Sequence, residues 1–364
     1  MEAAAKTWRY LEHDGVSASA GLAADESLMS TRGPALRLYT YRSHCALVGK
    51  FQNVEAELDL AFCREAKVAV NRRPTGGGAI LMGEDQLGIA VVDSFRRAGV
   101  PEHPKEIFAR YGRGILAGLE RLGIRASLEA KNDLRVGGRK IAGLGVCRDE
   151  EGTFLFHASL LVDLDVDLML RVLKIPAEKL SDKLRARVAE NLTTVRRECA
   201  GARAVAEVRD AIRSGFAAVE QTRFERGDFT PEEAEAARAL EREKYLQDAW
   251  ILRRQPTPDA LGASLRKTPA GLLRLYLSLA GDRIKDVTIT GDFMADESAI
   301  LAVEKALAHQ PAEPEIIAAV VARHTGSLGE LEARELVGAI LDAVAEARKL
   351  SSQGGPYGCF VNVR

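Results

Sequence analysis

Short extended runs and helical stretches take turns through the first half of the chain, and this alternation restricts it to a mixed architecture. Residues 36–41 alternate like a half-buried strand, and 45–48, 66–70 and 87–92 are short β-type runs. Helical spacing covers 55–63 and 104–122, with Gly123 as a stop. Extended runs over 133–136 and 140–147 flank Gly137-Gly138, a hairpin signal, and another run covers 154–162. From 204 to 252 the pattern is mostly helical. Thr230-Pro231-Glu232-Glu233 starts a helix with a hydroxyl cap, a first-turn proline and acids at the positive dipole end. Pro256, Pro258 and Pro269 mark a linker. Beyond it, 272–280 and 283–290 pair around Gly281-Asp282, and helices follow over 298–308, 314–323 and 328–349. The expected fold class is α+β. A large mixed α/β catalytic domain covers 1–254, a linker 255–269, a small α+β accessory domain 270–350 and a tail 351–364.

Composition removes several classes of function. Hydrophobic residues make up 46% and charged residues 28%, enough for a proper core on a chain that is not disordered. Fifty-one basic residues against 52 acidic ones give a net charge of −1, which argues against nucleic acid as a partner held by overall charge. Cys45, Cys63, Cys147, Cys199 and Cys359 are scattered, odd in number and without a CxxC pair, so neither a disulfide framework nor a zinc site is expected. No apolar run approaches the roughly 20 residues that cross a bilayer, so no membrane association is expected. With no apolar signal core after Met1, the expected location is the cytoplasm.

Two segments carry chemistry. Residues 71–79 read Asn-Arg-Arg-Pro-Thr-Gly-Gly-Gly-Ala. Glycines let backbone N–H groups approach an anion, and arginine offers a planar fork for carboxylate or phosphate. No Gly-Lys-Ser/Thr follows, so this is not a P-loop. The bland alternative is a flexible loop with two solvated arginines. Residues 132–145 read Asn-Asp-Leu-Arg-Val-Gly-Gly-Arg-Lys-Ile-Ala-Gly-Leu-Gly. Lys140 opens a glycine-spaced strand, where its ammonium can meet developing negative charge or merely blunt a hairpin edge. Asp133 can hold a magnesium ion or a ribose hydroxyl, or serve as a turn residue. His157, inside an apolar run, more often serves as a hydrogen-bonded core residue.

Together these segments resemble the lipoate–protein ligase family of the biotin/lipoate ligase superfamily. Residues 72–79 resemble its RRx(S/T)GGGA loop, Asn132-Asp133-Leu134 its NDL element, and residues 138–143 its lysine-bearing GRKIAG element. Residues 156–161 resemble its HGTLL strand, 48–53 its VIGRxQN strand, and 187–193 its SRVTNL turn. The later part, with Gly291-Asp292-Phe293, is similar to the family's accessory domain. The resemblance implies activation of lipoate, or octanoate, by ATP and Mg2+ to an acyl adenylate, then transfer to a carrier lysine. It implies Lys140 as the catalytic residue. Arg72, Arg73, Thr75, Gly76, Gly77, Gly78, Ala79, Asn132, Asp133, Gly143 and His157 would bind substrate and adenylate, with Asp133 toward magnesium. The implied partner is a lipoyl carrier: the glycine-cleavage H protein, a dehydrogenase E2 lipoyl domain, or a lipoate-binding protein of sulfur oxidation. Met82-Gly83 stand where many members have His-Asp, a role open to Glu84 or Asp85.

Three rivals stand beside this reading. An octanoyltransferase on the same fold needs a nucleophilic cysteine. Cys147 is the nearest, but an odd spacing of seven from Lys140 places it on the opposite face of a regular strand. A non-catalytic acyl- or carrier-binding protein is the second. Biotin ligase, the third, lacks its GRGRxxR loop here.

Overall fold

The computed structural model describes residues 6–30, 33–129, 131–174, 188, 190–199, 203–324 and 331–352. Arg187 and the tail beyond 352 lie outside them. The chain divides into two compact units. The first comprises Met1–Leu47, Leu58–Thr75 and Ile80–Ile251, and the second Val48–Glu57, Gly76–Ala79 and Leu252–Arg364.

In the first unit β1 (Lys6–Val16) leads through α1 (Ala18–Ser27) to β2 (Ala35–Tyr41) and β3 (Cys45–Val48). Then come β4 (Ala69–Arg72), β5 (Ile80–Met82), β6 (Gln86–Ser94), α2 (Pro104–Arg121), β7 (Ser127–Glu129), β8 (Asp133–Val136), β9 (Arg139–Arg148) and β10 (Thr153–Leu161). The unit closes with α3 (Val205–Glu220), β11 (Thr222–Arg226) and α4 (Pro231–Leu240). Eight strands form one sheet in the order β11-β1-β2-β6-β10-β9-β8-β7, and β4-β3-β5 form a small one. β1 runs parallel to both neighbours.

Alternation along β10 sends Phe154 and Phe156 to the side of α2, where Tyr111 and Phe108 meet them. Leu155 goes to the other side, into a cluster with Leu22 of α1 and Tyr39 of β2. On the α2 side the two long helices touch through glycine. A Cβ on Gly114 would lie 2.5 Å from the Phe216 ring, and one on Gly118 2.7 Å from the Ile212 backbone. The start signal at Thr230 forms a full capping box, its hydroxyl accepting from Glu233 N at 3.2 Å while Thr230 N donates to Glu233 at 2.9 Å.

Three expectations change. The helix read over 55–63 is two short turns, Val54–Glu57 and Leu60–Glu65, because the Asp59 side chain caps the second one. Within the stretch read as mostly helical from 204, the first helix stops at Glu220. Gln221 turns left-handed (φ 48°) and β11 begins. The stretch 255–269 read as linker contains a strand, β12 (Gly262–Thr268).

In the second unit β12 pairs with β13 (Gly271–Ala280) and β13 with β14 (Arg283–Gly291), all antiparallel. α5 (Glu297–Leu307), α6 (Pro314–Ala322) and α7 (Ala333–Ser352) complete it. Leu273, Leu275 and Leu277, on one face of β13, join Ile300, Leu336, Ile340 and Phe51 in its core. Among the described residues no helix is long and apolar enough to cross a membrane.

Candidate active site

The site of the first unit begins with an irregularity. The β8–β9 ladder pairs Leu134 with Ala142 but Arg135 with Lys140, leaving one extra residue on β9. Such a bulge shifts the phase of the side chains on either side of it. Ala142 and Leu144 are buried, and Leu144 points toward Gly112 of α2. Lys140 falls instead on the face of Gly143. A Cβ there would lie 3.0 Å from Lys140 Nζ and 3.7 Å from Ser159 Oγ. The ammonium pairs with Asp133 Oδ1 at 2.8 Å, while Arg135 binds Asp133 Oδ2 at 2.9 Å. The Lys140 carbonyl accepts from Thr193 N at 2.9 Å. Asn132 clamps β9 from the side, its Nδ2 donating to the Leu144 carbonyl at 2.6 Å and its carbonyl accepting from Leu144 N at 2.8 Å.

Continuing along β9, Gly143 stands opposite Ser159, Gly145 opposite His157, and Cys147 opposite Leu155. Two residues without side chains thus leave a trough on this face. Thr75 lies over it, 3.0 Å from where a Cβ on Gly145 would be. Its hydroxyl is buried and finds no hydrogen-bond partner among the described residues. A buried unpartnered hydroxyl is costly to keep, and a bound ligand is one explanation for its retention.

His157 leads into a buried network. Its Nε2 lies 2.9 Å from Asp25 Oδ2, which also accepts from the Tyr39 hydroxyl at 2.7 Å. Arg37 Nη1 binds Asp25 Oδ1 at 2.6 Å, and neither side chain is more than 1% exposed. Burial works against the Asp25 carboxylate, but Arg37, His157 and Tyr39 together hold it below the ordinary carboxylate range. His157 is thus a hydrogen-bonded residue of a buried network, and it stands opposite Gly145 of the trough.

The arginine–glycine segment is used differently. Arg72 is fully buried and donates to the Trp250 and Ile251 carbonyls at 3.0 Å each, so its guanidinium fastens the end of the first unit. Arg73 is also buried and donates to the Leu47 carbonyl at 2.9 Å. Burial pushes its guanidinium down to about 10. Gly76, Gly77, Gly78 and Ala79 belong to the second unit. There a Cβ on Gly49 would collide with the Gly77 carbonyl, and one on Gly76 would lie 2.6 Å from the Phe293 carbonyl. Of the residues expected in the site, the first unit gathers Lys140, Asn132, Asp133, Gly143, Thr75 and His157. Asp85 is paired with Arg196 at 3.1 Å.

Asp133 does not fit a magnesium site as it stands, since two cationic side chains already hold its oxygens. Among the described residues no cluster of three or more His, Cys, Asp or Glu side chains is arranged for a metal.

Residues 17–217 match the model of the lipoyl protein ligase A/B catalytic domain, and residues 264–340 that of the bacterial lipoate protein ligase C-terminus. The chain belongs to the lipoyl protein ligase A/B family. It is an enzyme of the ligase and transferase kind.

Curated relatives include the octanoyltransferase LipM of Kyrpidia tusciae, 32% identical over 277 residues, spanning 68% of this chain and 100% of the relative. That of Carboxydothermus hydrogenoformans is 30% identical over 270 residues, 68% and 99%. Among solved structures, the bipartite lipoate protein ligase of Thermoplasma acidophilum, described with its E2 lipoyl domain, is 28% identical with a TM-score of 0.63, covering 69% of this chain and 99% of that one. A lipoate-protein ligase A bound with ATP is 27% identical, with a TM-score of 0.59 and coverage of 68% and 98%. The lipoate complex of Plasmodium falciparum LipL1, 18% identical, shares the fold over 92% of this chain with a TM-score of 0.71.

These relatives correct the expectation of an ATP-dependent, AMP-forming ligase. The curated relatives named above are octanoyltransferases, which turns the reading toward acyl transfer from a donor other than an adenylate. The objection to Cys147 falls as well. With the bulge between them, Lys140 and Cys147 share a face despite their odd spacing.

The residues missed from sequence are Asp25, Arg37, Tyr39, Gly145 and Ser159. The one signal among them was a charged residue, Arg37, inside an otherwise apolar strand.

Proposed function

We propose that this enzyme is an octanoyltransferase that takes an octanoyl group from a thioester donor and delivers it to a lysine of a lipoyl carrier. In this reading the acyl carbonyl oxygen lies against the Lys140 ammonium, beside Ser159 and above Gly143. The carrier amine attacks the carbonyl carbon, the C–S bond breaks, and the thiol leaves with the proton that the amine gives up. A cation at the point where oxyanion charge develops lowers that barrier. The reading needs no nucleotide.

The observation that supports it most is the bulge, which turns Lys140 onto the glycine trough next to the unpartnered Thr75 hydroxyl. The acyl chain then runs over Gly145 toward Leu155 and Cys147. Cys147 is half-buried against the apolar cluster of Leu22, Leu47 and Tyr245. From Gly143 to Cys147 is about 13 Å at ~3.3 Å per residue, so one carbonyl cannot touch both the thiol and the ammonium. Sharing a face with Lys140 therefore does not make Cys147 the nucleophile that such a transferase was expected to need: in this reading Cys147 meets the tail of the acyl chain, and the carrier amine takes the acyl group directly.

The partner follows from the chemistry: a lipoyl domain such as that of a dehydrogenase E2, with the glycine-cleavage H protein and the lipoate-binding protein of sulfur oxidation as further candidates. The test is mass spectrometry of an apo E2 lipoyl domain after incubation with an octanoyl thioester of a carrier protein, without nucleotide. Octanoylation of the domain lysine is expected. Octanoylation that appears only with ATP and Mg2+ would overturn the reading.

A further inference from the structure

The bulge that brings the Lys140 ammonium onto the trough is an irregularity of one residue, and something must hold it in place. Moved past Lys140 toward Arg139, it would leave Lys140 in phase with Ala142 and Leu144, on the other face of the sheet from Gly143. β8 covers one edge of β9 here, with Arg135 opposite Lys140. On the other edge β10 stops pairing at Leu160–Ala142, before Lys140 is reached. The segment 192–198 takes up that edge instead. Leu192 forms a parallel bridge with Lys140, and Thr193 N donates to the Lys140 carbonyl at 2.9 Å.

This segment is fastened in two directions. Toward the end of β10, Arg196 N donates to the Val162 carbonyl at 3.0 Å, and the Arg196 guanidinium meets Asp163 at 2.8 Å and Asp85 at 3.1 Å. Toward β9 the fastening is one carboxylate oxygen. A single helical turn, Val195–Glu198, capped by the Thr194 hydroxyl, brings Glu198 back to Thr193. Glu198 Oε1 accepts from Arg139 Nη2 at 2.8 Å and also from the Thr193 hydroxyl. Arg139 precedes Lys140 in the chain, and Thr193 is the residue whose amide holds the Lys140 carbonyl. The two bonds to Glu198 therefore close a ring around the Lys140 peptide, and the bulge cannot migrate without breaking it. Bonds to a carboxylate are the stronger kind, and Thr193 is buried.

We propose that Glu198 is a positioning residue for Lys140: through Arg139 and Thr193 its carboxylate pins the bulge that keeps the ammonium on the trough. This role rests on the acyl-transfer reading for the chemistry of Lys140, and on the ring of bonds for its place. Glu198 itself touches neither the acyl group nor the Lys140 ammonium, whose partner is Asp133 at 2.8 Å.

The experiment uses the full-length enzyme with an octanoyl thioester and an apo lipoyl domain. Glu198→Ala is expected to lower kcat roughly 10–100-fold, the cost of a misplaced catalytic group, with KM for both substrates close to wild type. Glu198→Gln, whose amide oxygen can accept the same two bonds, should recover to within about threefold of wild type, losing only the assistance of the charge. Added to Lys140→Ala, Glu198→Ala should cost less than about twofold more, because groups that act as a unit are not additive. A residue that merely supports the fold would cost the same factor in both backgrounds, and that outcome overturns the proposal, as does a Glu198→Ala enzyme with wild-type kcat. Should Glu198→Ala fail to fold, Thr193→Val removes one arm of the ring and takes its place in each comparison. A second readout needs no turnover. In enzyme isotope-labelled at the lysine ε-carbon, the Lys140 resonance, assigned by its loss in Lys140→Ala, should shift in Glu198→Ala and return in Glu198→Gln. A resonance that stays put in Glu198→Ala rejects the positioning role. If wild type transfers no octanoyl group while the resonance moves as expected, the acyl-transfer reading fails and the placement of Lys140 by Glu198 stands.

Discussion

The two glycine-bearing segments that sequence reading singled out do opposite things. On β9, Gly143 and Gly145 make room for side chains: the Lys140 ammonium over the first and the Thr75 hydroxyl over the second. In the second unit Gly49 and Gly76 make room for backbone, with the Gly77 and Phe293 carbonyls occupying the places a Cβ would take. Flexible side chains yield to an intruding methyl group and backbone does not. The β9 glycines are therefore matters of reactivity, and the others are matters of folding. Around them the second unit binds its own pieces tightly. Phe51 stacks on Phe293 at 4.9 Å, Lys50 pairs with Glu297 at 2.9 Å, and Asn53 donates to the Arg254 carbonyl at 3.1 Å.

The largest effect expected is chemical. Lys140→Ala should lower octanoyl transfer by about 10²–10³, the loss typical of removing one donor to a developing oxyanion. Steady-state transfer to an apo lipoyl domain measures it, and an unchanged kcat would detach the β9 trough from the reaction.

A matched pair of alanines sharpens the contrast. Gly49→Ala should cost about 3 kcal/mol in urea unfolding of the second unit, because backbone must move. Gly143→Ala should cost less than about 1 kcal/mol, since the Lys140 side chain can swing away. The same swing should cost roughly 10–100-fold in transfer. If Gly143→Ala proved the more destabilising of the two, the division drawn above would be wrong.

Much of the frame was legible in the sequence, and the failures share a cause. Strand alternation at 154–162 and the cap at Thr230 are local, and both are present. β1 escaped notice because it carries Glu12, His13 and Asp14 in its second half. Those residues are satisfied by partners some 200 positions away, Arg209 at 2.9 Å for Glu12 and Asp228 at 3.1 Å for His13. Within the site, Lys140, Asn132, Asp133 and Gly143 lie on one hairpin and could be read together. Asp25 and Arg37 meet only through the folding of α1 onto β2, which no local pattern encodes. The bulge at Lys140 is also invisible to a period of two, and it reversed the inference about Cys147. That Arg72 and Arg73 also donate to backbone carbonyls of Trp250, Ile251 and Leu47 was not legible, because an arginine's partners are not written beside it.

Acidification offers a further comparison between the units. In the first, the fold holds Asp25 below its ordinary range, so its ionisation adds stability above the unfolded pKa, and that stability is lost as pH falls through the folded one. In the second, burial raises Glu304 despite Arg254 at 2.7 Å, so stability is gained as pH falls through its folded pKa. The stability gap between wild type and Asp25→Asn should therefore narrow on acidification, and that between wild type and Glu304→Gln should move in wild type's favour. Thermal unfolding from pH 7 down into the carboxylate range reads both. Parallel movement of the two gaps would contradict the assignment.

The smallest effect tests the trough most directly. Thr75→Val replaces a buried hydroxyl that has no partner by a methyl group of nearly the same shape. If the hydroxyl serves only packing, its removal relieves an unmet desolvation cost, stability rises by about 1 kcal/mol, and transfer is unchanged. If the hydroxyl meets the carbonyl of the bound acyl group, the same rise comes with a loss of transfer of roughly 3–10-fold, the worth of one neutral hydrogen bond. The second outcome is expected, with the loss in KM for the octanoyl donor. Calorimetry and donor titration on one preparation separate the two, because a hydroxyl kept for the ligand must stabilise the complex while it burdens the free enzyme.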